Sequence, residues 1–237
     1  MYIVAAVVVV AIVVVLAVLS FHLLLPSASA SLVVGKTMLY SQAIGPAEEA
    51  QTSIANGPWA PTEVIGLGVP QSASGYAGLV HGCTVVWETS STLVVPATPA
   101  NASAGALSVW IAASDDAAGN VLLTFVNDLS GAVTAQNAVE LQGSCVADYK
   151  LLGPVPASIV DSSEVALAAD ALGGSAFLGA YPGATKIVGV LGPYWEVEYT
   201  TCSFFASGGT GTQFAAFFYA TNGTLYSNSG VGQAPCP

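Results

Sequence analysis

Basic residues are scarce in this chain of 237 residues. It has no arginine, and its three lysines, Lys36, Lys150 and Lys186, stand against 14 acidic residues, which gives a formal net charge of −11. Proteins bind nucleic acids and anionic lipids through clusters of basic residues. The charge balance therefore excludes a nucleic-acid partner.

Charged residues of either sign are also few. They make up 7% of the chain, against about 25% in a typical globular domain. Hydrophobic residues make up 54%, whereas disordered chains are poor in large apolar side chains. The composition thus excludes intrinsic disorder.

Residue patterns that carry catalysis are missing. The two histidines are His22, inside an apolar run, and His81, two residues before Cys83. The chain has no GxSxG, HExxH or CxxC motif, and the glycine-rich run at 208–211 lacks the lysine of a phosphate-binding loop. We predict no catalytic residue, no cofactor and no metal site, and hence a protein that is not an enzyme.

Acidic residues close together in the sequence are the remaining candidates for a functional site. Asp115, Asp116 and Asn120 could bind calcium at a hairpin end, but such residues are typical of turns for conformational reasons. We interpret them as turn residues. Glu196 and Glu198 alternate with aromatic and apolar residues, and we assign them to a solvent-exposed face.

The longest apolar run covers residues 1–25, MYIVAAVVVVAIVVVLAVLSFHLLL, and contains no aspartate, glutamate, lysine or arginine. As a helix it would be about 38 Å long, enough to cross a bilayer core of about 30 Å. Its valines also suit a strand, but the length far exceeds that of ordinary strands. We predict a helix followed by a small-residue joint, together residues 1–31, and a second domain over residues 32–237.

Four cysteines and two glycosylation sequons indicate an extracellular domain. The sequons are Asn101-Ala-Ser103 and Asn222-Gly-Thr224. The order of strand, cysteine, hairpin and cysteine occurs twice along the chain. This repeat favours one of the three ways in which four cysteines can pair. The favoured disulfides are Cys83–Cys145 and Cys202–Cys236.

The pattern of residues 32–237 is mainly that of strands. Apolar residues alternate around positions 83–87, 107–111, 121–125 and 195–199, and turn residues separate these segments. Two short helices are predicted, over 46–55 behind Pro46 and over 161–174 with an Asp161 cap and an end at Gly173-Gly174. The predicted fold class is α+β: a long N-terminal apolar α-helix followed by a mainly antiparallel, Ig-like β-sandwich.

The C-terminal strands are rich in aromatic residues, and QFAAFFYA at 213–220 is apolar on both faces. We interpret it as a central strand with both faces covered. The alternative is that one face meets a neighbouring subunit.

No basic residue precedes Lys36, and a lone lysine on that side of a membrane anchor would weakly favour a cytoplasmic domain. The extracellular features oppose this orientation. A mature chain whose basic leader was removed before Met1 reconciles the two.

An uncharged apolar helix at residue 1, a small-residue joint and a β-rich domain with sequons resemble an archaeal type IV (adhesion-type) pilin. Ala5 stands where bacterial relatives usually carry glutamate. The resemblance implies a helical homopolymer, membrane-inserted before assembly, with the β domains outside. It implies a filament core that includes Ile3, Val4, Val7, Val8, Ile12, Val13, Leu16 and Leu19.

The sequence thus predicts a subunit of an extracellular surface filament that attaches to cells or other surfaces. The alternative is a membrane-anchored extracellular binding domain that does not polymerise. An N-terminal segment donated as a strand to a neighbouring subunit also stays open.

Overall fold

Nine antiparallel strands lie in one sheet in the computed structural model, which describes residues 36–54, 57–67, 83–88, 105–116, 118–128, 132–143, 153–202 and 209–236. The predicted helix over residues 1–25, its joint and all eight predicted filament-core residues lie outside this part. The strands are β1 (Ala60–Leu67), β2 (Cys83–Glu88), β3 (Val109–Asp115), β4 (Val121–Asn127), β5 (Thr134–Gly143), β6 (Thr185–Leu191), β7 (Tyr194–Thr200), β8 (Thr210–Tyr219) and β9 (Leu225–Pro235). The helices are α1 (Tyr40–Thr52), α2 (Ser162–Ala169) and α3 (Ser175–Ala180).

The prediction of a β-sandwich is wrong. A sandwich needs two sheets packed face to face, whereas the described strands follow each other in the single order β2-β5-β4-β3-β1-β6-β7-β8-β9. Helix α1 packs on β3, β4 and β5, and α2 packs on β6, β7 and β8. The face of the sheet that a second sheet would cover is instead covered by helices.

The core lies between the helices and this face of the sheet, which we call the helix face. Trp110 on β3 and Trp195 on β7 are fully buried there, and the ring of Tyr40 meets both edge-on at centroid distances of 5.9 and 5.2 Å. The indole N–H groups donate to backbone carbonyls, that of Trp110 to Met38 and that of Trp195 to Val160. Each large ring is therefore buried without an unsatisfied donor.

Helix α1 begins six residues before the predicted start, so Pro46 lies inside it. Proline was expected at the first turn because it lacks the N–H that a helix interior needs. One contact at this start is local, because the Leu39 N–H donates to Gln42 Oε1 at 2.8 Å, and the others are distant in sequence. The Tyr40 N–H donates to Ser162 Oγ, and the N–H and hydroxyl of Ser41 both donate to the Asp161 carboxylate.

The predicted N-cap of α2 is confirmed. Asp161 has extended backbone angles and accepts the Ser162 N–H at 2.7 Å, and Glu164 lies in the first turn. The same carboxylate thus serves the first turns of α1 and α2. This shared cap joins the N-terminal ends of the two helices.

The predicted stop at Gly173-Gly174 is a kink, after which the chain continues as α3. A π-helical turn spans Asp170–Gly174, and Gly173 has a φ of 148° that other residues rarely adopt. A side chain on Gly174 would collide with the ring of Tyr199. The Tyr199 hydroxyl and the Lys186 ammonium both donate to Asp170, at 2.5 and 2.8 Å, which ties the turn to the sheet.

The turn between β3 and β4 confirms the interpretation of Asp116 and Asn120 as turn residues, whereas Asp115 is the last residue of β3. Asp116 Oδ1 accepts the N–H groups of Gly119 and Asn120 at 2.6 and 2.7 Å, and Oδ2 accepts from the Asn120 side chain. Although burial opposes ionisation, these hydrogen bonds hold the pKa of Asp116 below its ordinary value. The carboxylate is satisfied by the turn itself.

Candidate functional site

The sheet ends in a two-stranded ribbon with a distinctive surface. We call β8, β9 and their turn, Thr210–Pro235, the C-terminal ribbon. Strand β8 is mostly buried, as expected for QFAAFFYA, whereas β9 is exposed along nearly its whole length. The side chain of Val231 is 61% exposed and that of Leu225 44%.

The C-terminal ribbon also carries no charge. All 14 acidic residues, the three lysines and the two histidines lie at or before Glu198, so residues 199–237 contain none of them. Copies of a chain with a net charge of −11 repel each other. A contact between two copies through the ribbon would therefore not bring their own carboxylates together.

One predicted disulfide is confirmed, and it fastens this ribbon. Cys202 and Cys236 are bonded with a Cα–Cα distance of 5.4 Å, and the Cys236 N–H donates to the Gly209 carbonyl. A Cβ on Gly211 would lie 2.5 Å from Cys202 Sγ and 2.9 Å from Cys236 Sγ. Glycine at this position therefore makes room for the cystine.

The second predicted disulfide falls partly outside the described residues. The register of β2 and β5 places Cys83 opposite Gly143, two residues before Cys145. Cys145 itself is not described, so the pairing Cys83–Cys145 stays a prediction.

The sequon at Asn222 occupies the exposed turn between β8 and β9. The Asn222 side-chain oxygen accepts the N–H of Thr224 at 3.0 Å and its hydroxyl at 2.8 Å. The two sequon side chains are therefore held together at the surface. Asn101 lies outside the described residues, and glycosylation of either asparagine stays a prediction.

Three glutamates are buried on the face opposite the helix face, and sequence reasoning missed this. Glu196 and Glu198 alternate with the buried Trp195 and Tyr199 on β7, and Glu63 lies on β1 beyond β6. The three side chains are between 3% and 7% exposed, so the prediction of a solvated Glu196 and Glu198 is wrong. Both faces of β7 are covered, and alternation alone does not reveal a covered second face.

Their protonation differs from that of ordinary glutamates. Burial raises the pKa of Glu63 to about 8 and that of Glu198 to about 7. Burial, then the charges of Glu198 and Glu63, raise the pKa of Glu196 well above its ordinary value. Among the described residues, Oε1 of each has no hydrogen-bond partner. The unpaired acids are therefore more stable uncharged.

A shallow groove of about 480 Å³ lies where α1 ends and β1 begins. Its inner side is Gln51, which bridges Thr124 and Ser114 of the sheet by hydrogen bonds of 3.1 and 3.2 Å. The indole N–H of Trp59 has no partner among the described residues. The groove is lined by Glu48, Gln51, Thr52, Ile54, Gly57, Pro58, Trp59 and Pro61.

The described residues contain no cluster of three or more potential metal ligands. Within the same residues, no helix is both long and apolar enough to cross a membrane. His81 falls outside them.

No protein-family model, no curated protein and no solved structure matches the chain.

Proposed function

We propose that this protein is a structural subunit of an extracellular filament of the type IV pilus kind, in which residues 1–25 form a buried core and the sheet domain lies outside. The observation that carries the proposal is the uneven distribution of charged residues along the chain. Its first 25 residues contain no Asp, Glu, Lys or Arg, whereas the remainder carries all 17 such residues. A segment that is apolar throughout needs either lipid or copies of itself around it.

Membrane insertion before assembly and burial in a filament afterwards satisfy this need in turn. The Cys202–Cys236 disulfide of the sheet domain supports an extracellular location, because disulfides form and persist in oxidising surroundings. Asn222 adds an exposed sequon in a turn. Attachment to cells or other surfaces is the purpose that such a filament would serve.

Electron microscopy of the sheared cell-surface fraction tests the proposal, with mass spectrometry to identify the chain. We expect thin filaments from the unmodified protein and none from Val9→Lys, because a lysine inside an apolar core is costly to bury. Ala176→Lys is the matched control, since it adds the same charge to an exposed position on α3. Discrete particles in detergent-extracted membranes, without filaments, would refute the proposal.

The groove beside Trp59 favours the second candidate, a membrane-anchored extracellular domain that binds a ligand without polymerising. An aromatic ring among prolines, with the Glu48 carboxylate and the Gln51 amide nearby, has the composition of a site for a small polar ligand. For such a domain, Val9→Lys would reduce membrane retention, and Trp59→Ala would abolish ligand binding without reducing membrane retention.

A further inference from the structure

We propose that the outer edge of β9 is a self-association site, where β9 of a second copy pairs antiparallel across a two-fold axis. This contact extends the proposed function and rests on it for the presence of many copies at one surface. It joins copies in the membrane or in neighbouring filaments, because a screw axis, and not a two-fold axis, relates the subunits within one helical filament. The position of β9 in the sheet is the first support. It is the last strand of the sheet order, and no strand of the described residues pairs with its outer edge.

The direction of the backbone groups is the second support. The N–H of Thr201 donates to the Thr212 carbonyl, and the N–H of Thr212 donates to the Thr201 hydroxyl, so both backbone groups of Thr212 point away from β9. Thr212 is paired with Gln233. In an antiparallel pair such residues do not bond each other, so the N–H and carbonyl of Gln233 point outward.

The usable part of this edge is short and well defined. The register of β8 and β9 shifts between Phe214 and Ala216, which leaves Val231–Pro235 as a regular stretch. Val231 and Gln233 present outward N–H groups two residues apart, and Pro235 has no N–H to offer. Pairing around Gly232 uses both donors, because Val231 of each copy then faces Gln233 of the other and four hydrogen bonds form.

The chemistry of the surface identifies a second copy as the occupant. Natural sheet edges are commonly protected by charged residues, above all lysine, and β9 has no charged residue. Two copies joined here keep all their acidic residues off the shared edge. In the dimer the exposed side chain of Val231 packs against the side chain of Gln233 from the other copy. The other edge strand, β2, ends in Glu88 and is a poorer partner for an acidic chain.

A cysteine on the axis tests the geometry in the purified full-length protein. In a pair without mutual hydrogen bonds the Cα atoms are about 4.5 Å apart, within the range that a disulfide spans. A Cβ on Gly232 meets nothing within 4 Å, and the same holds for Gly179 on α3, which serves as the control. We expect Gly232→Cys, and not Gly179→Cys, to form an oxidised dimer whose peptide map shows a 232–232 link.

A second pair of variants tests the hydrogen bonds without a new thiol. Gln233→Pro removes an outward N–H that β8 does not use, and Gln233→Ala loses the same side chain but keeps the N–H. Proline at position 233 removes two intermolecular hydrogen bonds per dimer. Each of these bonds raises the association constant roughly fivefold. We expect the dissociation constant from sedimentation in detergent to rise roughly 25-fold for proline relative to alanine.

The absence of the 232–232 link, equal cross-linking of both cysteine variants, or equal dissociation constants for proline and alanine would each overturn the inference. The outcomes also separate the two proposals. Filaments without a 232–232 link would refute the edge contact alone. A 232–232 link in a protein that forms no filaments would refute the filament alone.

Discussion

Replacing Glu63 by glutamine should remove a large part of the pH dependence of stability. Glu63 is 3% exposed, and burial raises its pKa from 4.5 to about 8. In the unfolded chain the same carboxyl ionises near pH 4.5. The folded state therefore binds a proton that the unfolded state releases between these values, and stability falls as the pH rises.

The size of the effect follows from the two pKa values. At pH 7 the unfolded carboxyl is about 2.5 units above its pKa, whereas the folded one is still mostly protonated, so Glu63 lowers the free energy of unfolding by about 3 kcal/mol. At pH 4 both forms are mostly protonated and the difference nearly vanishes. For a domain of this size, about 3 kcal/mol corresponds to roughly 6–12 °C in the melting temperature.

The assay is urea or thermal unfolding of the full-length protein between pH 4 and pH 8, with the cystine intact. Glu63→Gln cannot ionise, so we expect it to be about 3 kcal/mol more stable than the unmodified protein at pH 7 and nearly equal at pH 4. Glu49→Gln is the matched control. It also removes one negative charge, but from an exposed position on α1.

The comparison separates burial from general repulsion, because a net charge of −11 also weakens as the pH falls. A pH profile of Glu63→Gln that coincides with that of Glu49→Gln would refute the reasoning. So would an unmodified protein that is more stable at pH 7 than at pH 4.

Three further variants test contacts that hold the C-terminal ribbon and the helices. Gly211→Ala should cost about 2 kcal/mol or more in the free energy of unfolding and leave free thiols, because its Cβ would lie 2.5 Å from Cys202 Sγ. Replacing both Cys202 and Cys236 by serine opens a link between residues 34 apart and should cost about 4 kcal/mol. Asp161→Ala should cost about 1–3 kcal/mol, since its carboxylate caps α2 and accepts two hydrogen bonds from Ser41. Urea denaturation measures all three, and thiol titration adds the cysteine state.

Each has a control within the same chain. Gly232→Ala adds the same methyl group where nothing lies within 4 Å, so a loss equal to that of Gly211→Ala would contradict the cystine argument. Reduction of the unmodified protein should reproduce the double serine variant. Asp161→Asn keeps an acceptor oxygen, and stability as low as that of Asp161→Ala would exclude capping as the cause.

Local patterns predicted the elements whose partners are close in sequence. The hairpin of β3 and β4 requires only two alternating segments and the Asx turn around Asp116, and both lie within about 20 residues. The cap of α2 requires Asp161 and the residues directly after it. The ribbon of β8 and β9 follows the same logic, and its hairpin placed Cys202 and Cys236 near one another.

The features that were predicted wrongly from the sequence depend on contacts between residues far apart in the chain. At the start of helix α1, the N–H groups of Tyr40 and Ser41 donate to Ser162 and Asp161, which lie more than 100 residues later. Glu196 and Glu198 alternate as a half-exposed strand would, yet the far side of β7 is buried. Period-two alternation reports the two faces of a strand and not what covers each one.

Composition and contacts between near neighbours in the chain specify the acidic charge, the absence of charge after Glu198, the apolar run over residues 1–25 and the local hairpins and caps. The folded structure was needed to show that the described strands form one sheet covered by helices, that three glutamates are buried together, and that β9 is an open edge. The reason is physical: burial and strand order arise from contacts between segments distant in sequence, and local propensity carries no information about which segments meet.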